Sequence, residues 1–153
     1  MAYCFDTSSF LDAAVRWYPR DIFPSFWEKL EELIGNGQIV TSGEVLRELE
    51  RKDDEVFQWA KARPELFMPL SEDVQRATAK VLEKFPRLVD ERSGKSRADP
   101  FVIGVAIVTG ATLVTGEQAR GSAKRPRIPD ACQGFHVRCV GIVSVIREQG
   151  WKF

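Results

Sequence analysis

Acidic residues recur in this sequence at one kind of place, just beyond a short apolar run and at the start of a helical pattern. Asp6 ends the run Ala2-Tyr3-Cys4-Phe5 and is followed by Thr7, Ser8 and Ser9. The run reads as a buried strand that delivers a carboxylate at its C-terminal end, where open α/β sheets put their ligand crevice. Asp, Thr and Ser are also the usual caps of a following helix, so Asp6 alone carries both readings. Glu44 and Glu48 fall in the first two turns after a second β-rich run, Ile39 to Thr41. Asp99 opens a strongly apolar helix, and Glu117 lies two residues past Thr115, the end of another strand. Clustered carboxylates without histidine or cysteine make an oxygen-only site, which suits hard cations such as Mg²⁺ or Mn²⁺. Two such ions about 4 Å apart would support an in-line displacement at a phosphate.

The elements that must position these acids follow from periodicity. Phe10, Leu11, Ala14, Val15 and Tyr18 fit a first helix that stops at Pro19, and Phe23, Phe26, Trp27, Leu30, Leu33 and Ile34 fit a second that ends near Gly35 to Gly37. Ser42 caps a helix with Val45, Leu46 and Leu49 on its inner face. The middle third reads as all helix, from Val56 to Ala62 and from Ser71 to Phe85, with Pro64 and Pro86 as stops. Arg87 to Ala98 is polar and loop-like. It holds Ser93-Gly94-Lys95-Ser96, which fails as a phosphate-binding loop because the first glycine of that motif would fall at Val89. Asp99 then caps an apolar helix with Pro100 at its first position, running to Gly110. Thr112 to Thr115 and Val137 to Val140 read as strands, the last followed by a helix from Ile142 to Gln149. Strands separated by helices pair in parallel through right-handed crossovers. The expectation is one domain over residues 1–153, a three-layer α/β/α sandwich around a central, mostly parallel sheet of about four to five strands.

Composition narrows the class only slightly. Lys plus Arg equals Asp plus Glu at 22 each, so net charge argues neither for nor against a nucleic-acid partner. No window approaches the ~18 apolar residues of a membrane span, and no basic region followed by an apolar run opens the chain, so the expected location is the cytoplasm. Cys4, Cys132 and Cys139 cannot build a disulfide framework. Cys132, His136 and Cys139 would still lack a fourth zinc ligand and match no common zinc spacing, so the cysteines read as small buried hydrophobes. His136 is the single histidine, without a partner for acid–base work.

In order along the chain, "FDTSSFLD", "VTSGEVLRELER", "ADPFVIGVA" and "LVTGE" resemble the four acidic motifs of PIN-domain nucleases, in the manner of VapC-type toxins. The resemblance implies a PIN-like fold and an Mg²⁺- or Mn²⁺-dependent endoribonuclease that leaves 5′-phosphate and 3′-hydroxyl ends. It also implies the toxin half of a toxin–antitoxin pair. Asp6 and Asp99 would be the core metal ligands, with Glu48 and Glu117 completing or orienting the sphere. Ser8 and Thr115 would offer hydroxyls to a water or a carboxylate. The family's spacing from Thr41-Ser42 selects Glu48 over Glu44, whose place in a first helical turn has a structural reason of its own. Glu117 departs from the Asp usual at the fourth position and is one methylene longer, which puts a second metal in doubt. That departure is the best support for the alternative, a catalytically inactive PIN-like module that binds RNA or protein. A receiver-like phosphoacceptor would need a Lys at the end of the last strand, and none is there.

A substrate surface has to come from elsewhere. Arg120, Lys124, Arg125 and Arg127 form a basic loop beyond Glu117, suited to RNA backbone phosphates or to nothing more than solvent. Asp130, in "IPDACQGF", reads as first-turn capping. Trp17, Trp27 and Trp59 read as core or interface rather than as base-stacking platforms, since none is interleaved with the basic loop. An antitoxin, or a second subunit in a homodimer, would cover those helices.

Overall fold

The computed structural model describes residues 2–89, 98–119, 121 and 126–153. Strands β1 (Tyr3–Phe5), β2 (Ile39–Ser42), β3 (Phe67–Met68), β4 (Thr112–Val114) and β5 (Cys139–Val140) form one sheet in the order β3-β2-β1-β4-β5. Every pairing is parallel, with Cys4 opposite both Val40 and Leu113. The sheet is therefore wholly parallel, and it gains an edge strand, β3, inside the stretch that reads as all helix from sequence. Two residues after a 3₁₀ turn at Pro64–Leu66 are too few to leave a period-two signature.

Between strands run α1 (Thr7–Asp12), α2 (Pro24–Gly35), α3 (Gly43–Lys52), α4 (Asp54–Lys61), α5 (Glu72–Lys84), α6 (Asp99–Thr109) and α7 (Ile128–Gly134), with α8 (Ile142–Gln149) last. Alternation along β1 shows the layers. Tyr3 points to α8, where its hydroxyl meets Glu148 at 3.2 Å, and Phe5 packs on Phe10 of α1 at 5.1 Å between ring centroids. Cys4 faces the other way and its thiol donates to the carbonyl of Val102 in α6 at 3.4 Å. Phe5, Phe10, Leu49, Val102 and Leu113 belong to one contiguous buried cluster. The α/β/α sandwich expected from the pattern is the observed fold.

Three local differences from the sequence reading matter for the site. Beyond Asp12 the first helix widens into a π turn, Ala13–Trp17, in which the Tyr18 N–H bonds back five residues to Ala13 at 2.7 Å. The extra residue shifts the helical phase, so Val15 is 63% exposed rather than facing inward. Asp99 is the first residue of α6, not its cap; Ala98 holds the cap position and its methyl side chain offers no acceptor. The last strand begins at Cys139, because His136 takes a left-handed conformation, φ 56°, that turns the chain first.

α6 is apolar on nearly all sides because it is sandwiched between the sheet and α5. Gly104 permits that approach. A Cβ there would overlap Thr78 Oγ1 of α5 and come within 3.2 Å of the Thr78 backbone nitrogen. α6 ends at Gly110 just before β4 begins, so its first turn, with Asp99, lies at the C-terminal edge of the sheet.

Candidate active site at the C-terminal edge of the sheet

Asp6 is the centre of the edge. It follows the middle strand, is only 2% exposed, and caps α1 through the Ser9 N–H at 2.8 Å to Oδ1. Its carboxylate gathers hydroxyls from both sides. Ser8 Oγ lies 2.9 and 2.8 Å from the two oxygens, Ser9 Oγ 2.7 Å from Oδ1, and Thr115 Oγ1, at the end of β4, 2.5 Å from Oδ2. Both of the sequence's candidate hydroxyl residues, Ser8 and Thr115, therefore touch Asp6. Burial pushes the Asp6 carboxyl up to about 6, against the hydrogen bonds from Thr115, Ser9 and Ser8 that favour its charged form. Ser9 Oγ also lies 2.6 Å from the Val114 carbonyl, and its one proton cannot serve both acceptors. A proton on Asp6, or a cation beside it, relieves the shortage.

The other predicted acids reach the same edge but have partners of their own. Glu48, 2% exposed in the second turn of α3, accepts the Ala98 N–H at 3.1 Å and has Lys52 Nζ 3.6 Å away. It thus anchors from another helix the residue that precedes α6, and Asp99, itself 7% exposed, follows at the first position of that helix. Glu44 turns outward and pairs with Arg47 at 3.0 Å. Glu117 sends its carboxylate to the start of α7, accepting the Ile128 N–H at 2.9 Å, while its own N–H donates to Thr115 Oγ1 at 3.1 Å. Among the described residues, no three Asp, Glu, His or Cys side chains converge as a ready-made metal cage. The zinc reading of Cys132, His136 and Cys139 finds no support there either.

For a hard cation the donor chemistry still fits. Mg²⁺ keeps most of its waters and takes one or two protein carboxylates. Asp6, with Asp99 at the head of the adjacent helix, offers that, in a setting of hydroxyl and carboxylate oxygens where an ionised, buried Asp6 is costly without a counter-charge.

Sequence reasoning missed Asp12 and Gly116 beside the Asp6 cluster, and Arg16 and Trp17 on the cleft next to it. Asp12 lies four residues after Ser8 on α1, and that spacing was a usable signal, since residues four apart share a face. A Cβ on Gly116 would overlap Asp12 Oδ2, so glycine is needed for the carboxylate to lie against the Thr115–Glu117 turn. The Gly116 N–H donates to Ser8 Oγ at 3.1 Å and joins the turn to the Asp6 cluster. Asp12 opens onto a cleft of about 580 Å³ together with Ser9, Thr115 and Glu117, and Arg16 and Trp17 of the π turn line the same cleft. Trp17 is 61% exposed, unlike Trp27 and Trp59, which are buried edge-to-face against each other at 4.9 Å. No periodicity in the sequence announces a π turn.

Of the expected basic loop, Arg120, Lys124 and Arg125 lie outside the described residues, as does the Ser93-Gly94-Lys95-Ser96 segment. Arg127 precedes α7 and donates its N–H to Asp130 Oδ2 at 2.8 Å, and Asp130 Oδ1 accepts the Gly121 N–H at 2.8 Å. Asp130 is a first-turn cap, as its position suggested. No helix among the described residues is long and apolar enough to cross a membrane.

No curated protein matches the sequence. Among solved structures the chain is similar to one of VapBC2 from Rickettsia felis, determined bound to a DNA fragment from their promoter. The two superpose with a TM-score of 0.52 over 92% of this chain and 98% of that one, at 20% sequence identity. At that identity the likeness is one of fold, and it agrees with the PIN-like architecture that the four motifs implied. Over residues 3–153 the sequence matches the family described as Domain of unknown function (DUF4411), and the chain belongs to that family.

Proposed function

We propose that this protein is a metal-dependent endoribonuclease and the toxin of a toxin–antitoxin pair. The observation that carries the proposal is Asp6: a buried carboxylate at the end of the central strand, ringed by Ser8, Ser9 and Thr115, with Glu48 and Asp99 brought to the same edge. A structural cap would not need such burial or so many hydroxyls. The fold it shares with a chain of VapBC2, an assembly that binds promoter DNA, supports the antitoxin partner. Asp6 and Asp99 would hold Mg²⁺ or Mn²⁺, which when bound supplies charge neutralisation at a phosphate and an activated water. Thr115 and Ser8 fix the Asp6 carboxylate in one orientation. Glu48 holds the head of α6, and so Asp99, in register with it. Glu117 steadies the turn that carries Thr115.

The test is direct. Purified protein should cleave single-stranded RNA in Mg²⁺ or Mn²⁺, stop in EDTA, and lose cleavage in Asp6→Asn. Cleavage that persists in EDTA, or survives that substitution, defeats the metal mechanism. The second reading, an inactive RNA- or protein-binding module, is favoured by one feature: the Glu117 carboxylate is engaged with α7 rather than turned to Asp6. RNA binding without cleavage in either metal would establish it.

A further inference from the structure

Trp17 is a large aromatic ring left 61% exposed in a chain that packs its other tryptophans: Trp27 and Trp59 are each 3% exposed, and Trp151 lies edge-on to Phe26. Its exposure follows from backbone geometry, because the π turn adds a residue to the first helix and brings Arg16 and Trp17 round to the cleft. Arg16 beside it has a side chain 72% exposed, and its ion pair with Asp12 is long at 4.0 Å. The cleft is contiguous with the Asp6 cluster, since Ser9 and Thr115, which both bond Asp6, line it. Val143, 47% exposed, adds apolar surface from the start of α8. Its volume of about 580 Å³ is in the ordinary range for a site that takes a small ligand.

We infer that this cleft is a subsite for single-stranded nucleic acid, in which a base stacks on Trp17 and a neighbouring phosphate is held by Arg16 while the strand continues to the Asp6 edge. The inference deepens the nuclease reading and names where the substrate lies. An exposed indole with a cation beside it is the pairing that single-strand binders use, because every base has a π face and every linkage a phosphate. The acids Asp12 and Glu117 line the same cleft and repel a phosphate, so the backbone charge belongs against the Arg16 guanidinium. A protein partner on Trp17 would need no cation and no continuity with Asp6, and it is therefore the disfavoured occupant.

The experiment is fluorescence anisotropy with a labelled ten-nucleotide oligoadenylate RNA in EDTA, with the RNA checked on a gel to be intact after the measurement. Trp17→Ala should weaken binding by about five- to a hundredfold, and Trp17→Phe should restore most of the loss. One abasic position per oligonucleotide, moved along the strand, should find a site that weakens wild type and leaves Trp17→Ala unaffected. Arg16→Gln should flatten the salt dependence by about one unit of slope. Circular dichroism and melting keep a folding defect from being read as lost binding. Equal affinity of Trp17→Ala and wild type overturns the subsite, as does no wild-type binding. In the first case a change in oligomeric state on substitution would assign Trp17 to a protein contact. Cleavage in Mg²⁺, measured separately, judges the nuclease reading: a protein that binds through Trp17 but never cleaves keeps the subsite and loses the enzyme.

Discussion

Glu48 and Glu44 are four residues apart on α3, yet their surroundings make them different groups. Glu48 is buried, with its carboxylate between the Ala98 N–H and Lys52, whereas Glu44 is a half-buried first-turn acid paired with Arg47. Glu48→Gln keeps an acceptor for Ala98 and removes only the charge, so the fold should survive while cleavage falls about 10–100-fold, as when a residue supporting a metal site is lost. Glu44→Gln should cost ~0.3–1 kcal/mol of stability through the helix N-terminus and leave turnover within about a factor of two. Turnover and melting temperature of the two variants, measured side by side, decide it; a dead Glu44→Gln with an active Glu48→Gln would shift the functional register by one helical turn. Gly116 gives a sharper local test. A Cβ there would displace the Asp12 carboxylate and crowd Ser8, so Gly116→Ala should impair cleavage more than it lowers stability. Equal activity in that variant would remove the Thr115–Glu117 turn from the site.

Among the elements, α5 and α6 make the most extensive helix contact, and it is set by Gly104. Gly104→Ala forces a methyl against Thr78 and the α5 backbone and should destabilise by roughly 1–3 kcal/mol, even though alanine is the better helix former. A stability gain in urea unfolding would mean that α5 can move aside. The same elements show what a sequence can disclose. The parallel sheet, the helix opened by Asp99-Pro100 and the inward place of Glu48 were legible because apolar runs, helix starts and the spacing of three and four are local signals. The hydroxyls around Asp6 were legible in kind, since Ser8 and Thr115 border strand ends. β3 was not, because two residues carry no period; nor was the π turn, whose extra residue turns Val15 outward and Trp17 to the cleft. The engagement of Glu117 with the Ile128 N–H depends on where α7 begins, eleven residues on, and nothing in "LVTGE" encodes that distance.

At the scale of the whole molecule, Asp6 couples the site to global stability. In the folded chain burial raises its carboxyl from 3.8 to about 6; in the unfolded chain it titrates normally. Below pH ~4 both states hold the proton, and the contribution of Asp6 to stability is fully present. Between these values the unfolded carboxyl ionises first, so the native state binds more protons and stability falls as pH rises. Above pH ~6 the loss is complete and amounts to roughly 3 kcal/mol. Other groups titrate over the same range, so the informative quantity is the melting temperature of Asp6→Asn minus that of wild type, in EDTA. Hydrogen bonds lost to the amide shift this difference by a constant, whereas the ionisation cost enters wild type alone. The difference should therefore rise by about 5–10 °C in favour of the variant between pH 4 and pH 7, since ~1 kcal/mol moves a chain of this size by a few degrees. Mg²⁺ or Mn²⁺ added at pH 7 should raise the wild-type melting temperature and leave Asp6→Asn nearly unmoved, because a cation beside the carboxylate replaces the missing proton. A difference that stays flat with pH would show that Asp6 is solvated rather than buried, and equal metal responses in the two proteins would place the cation elsewhere.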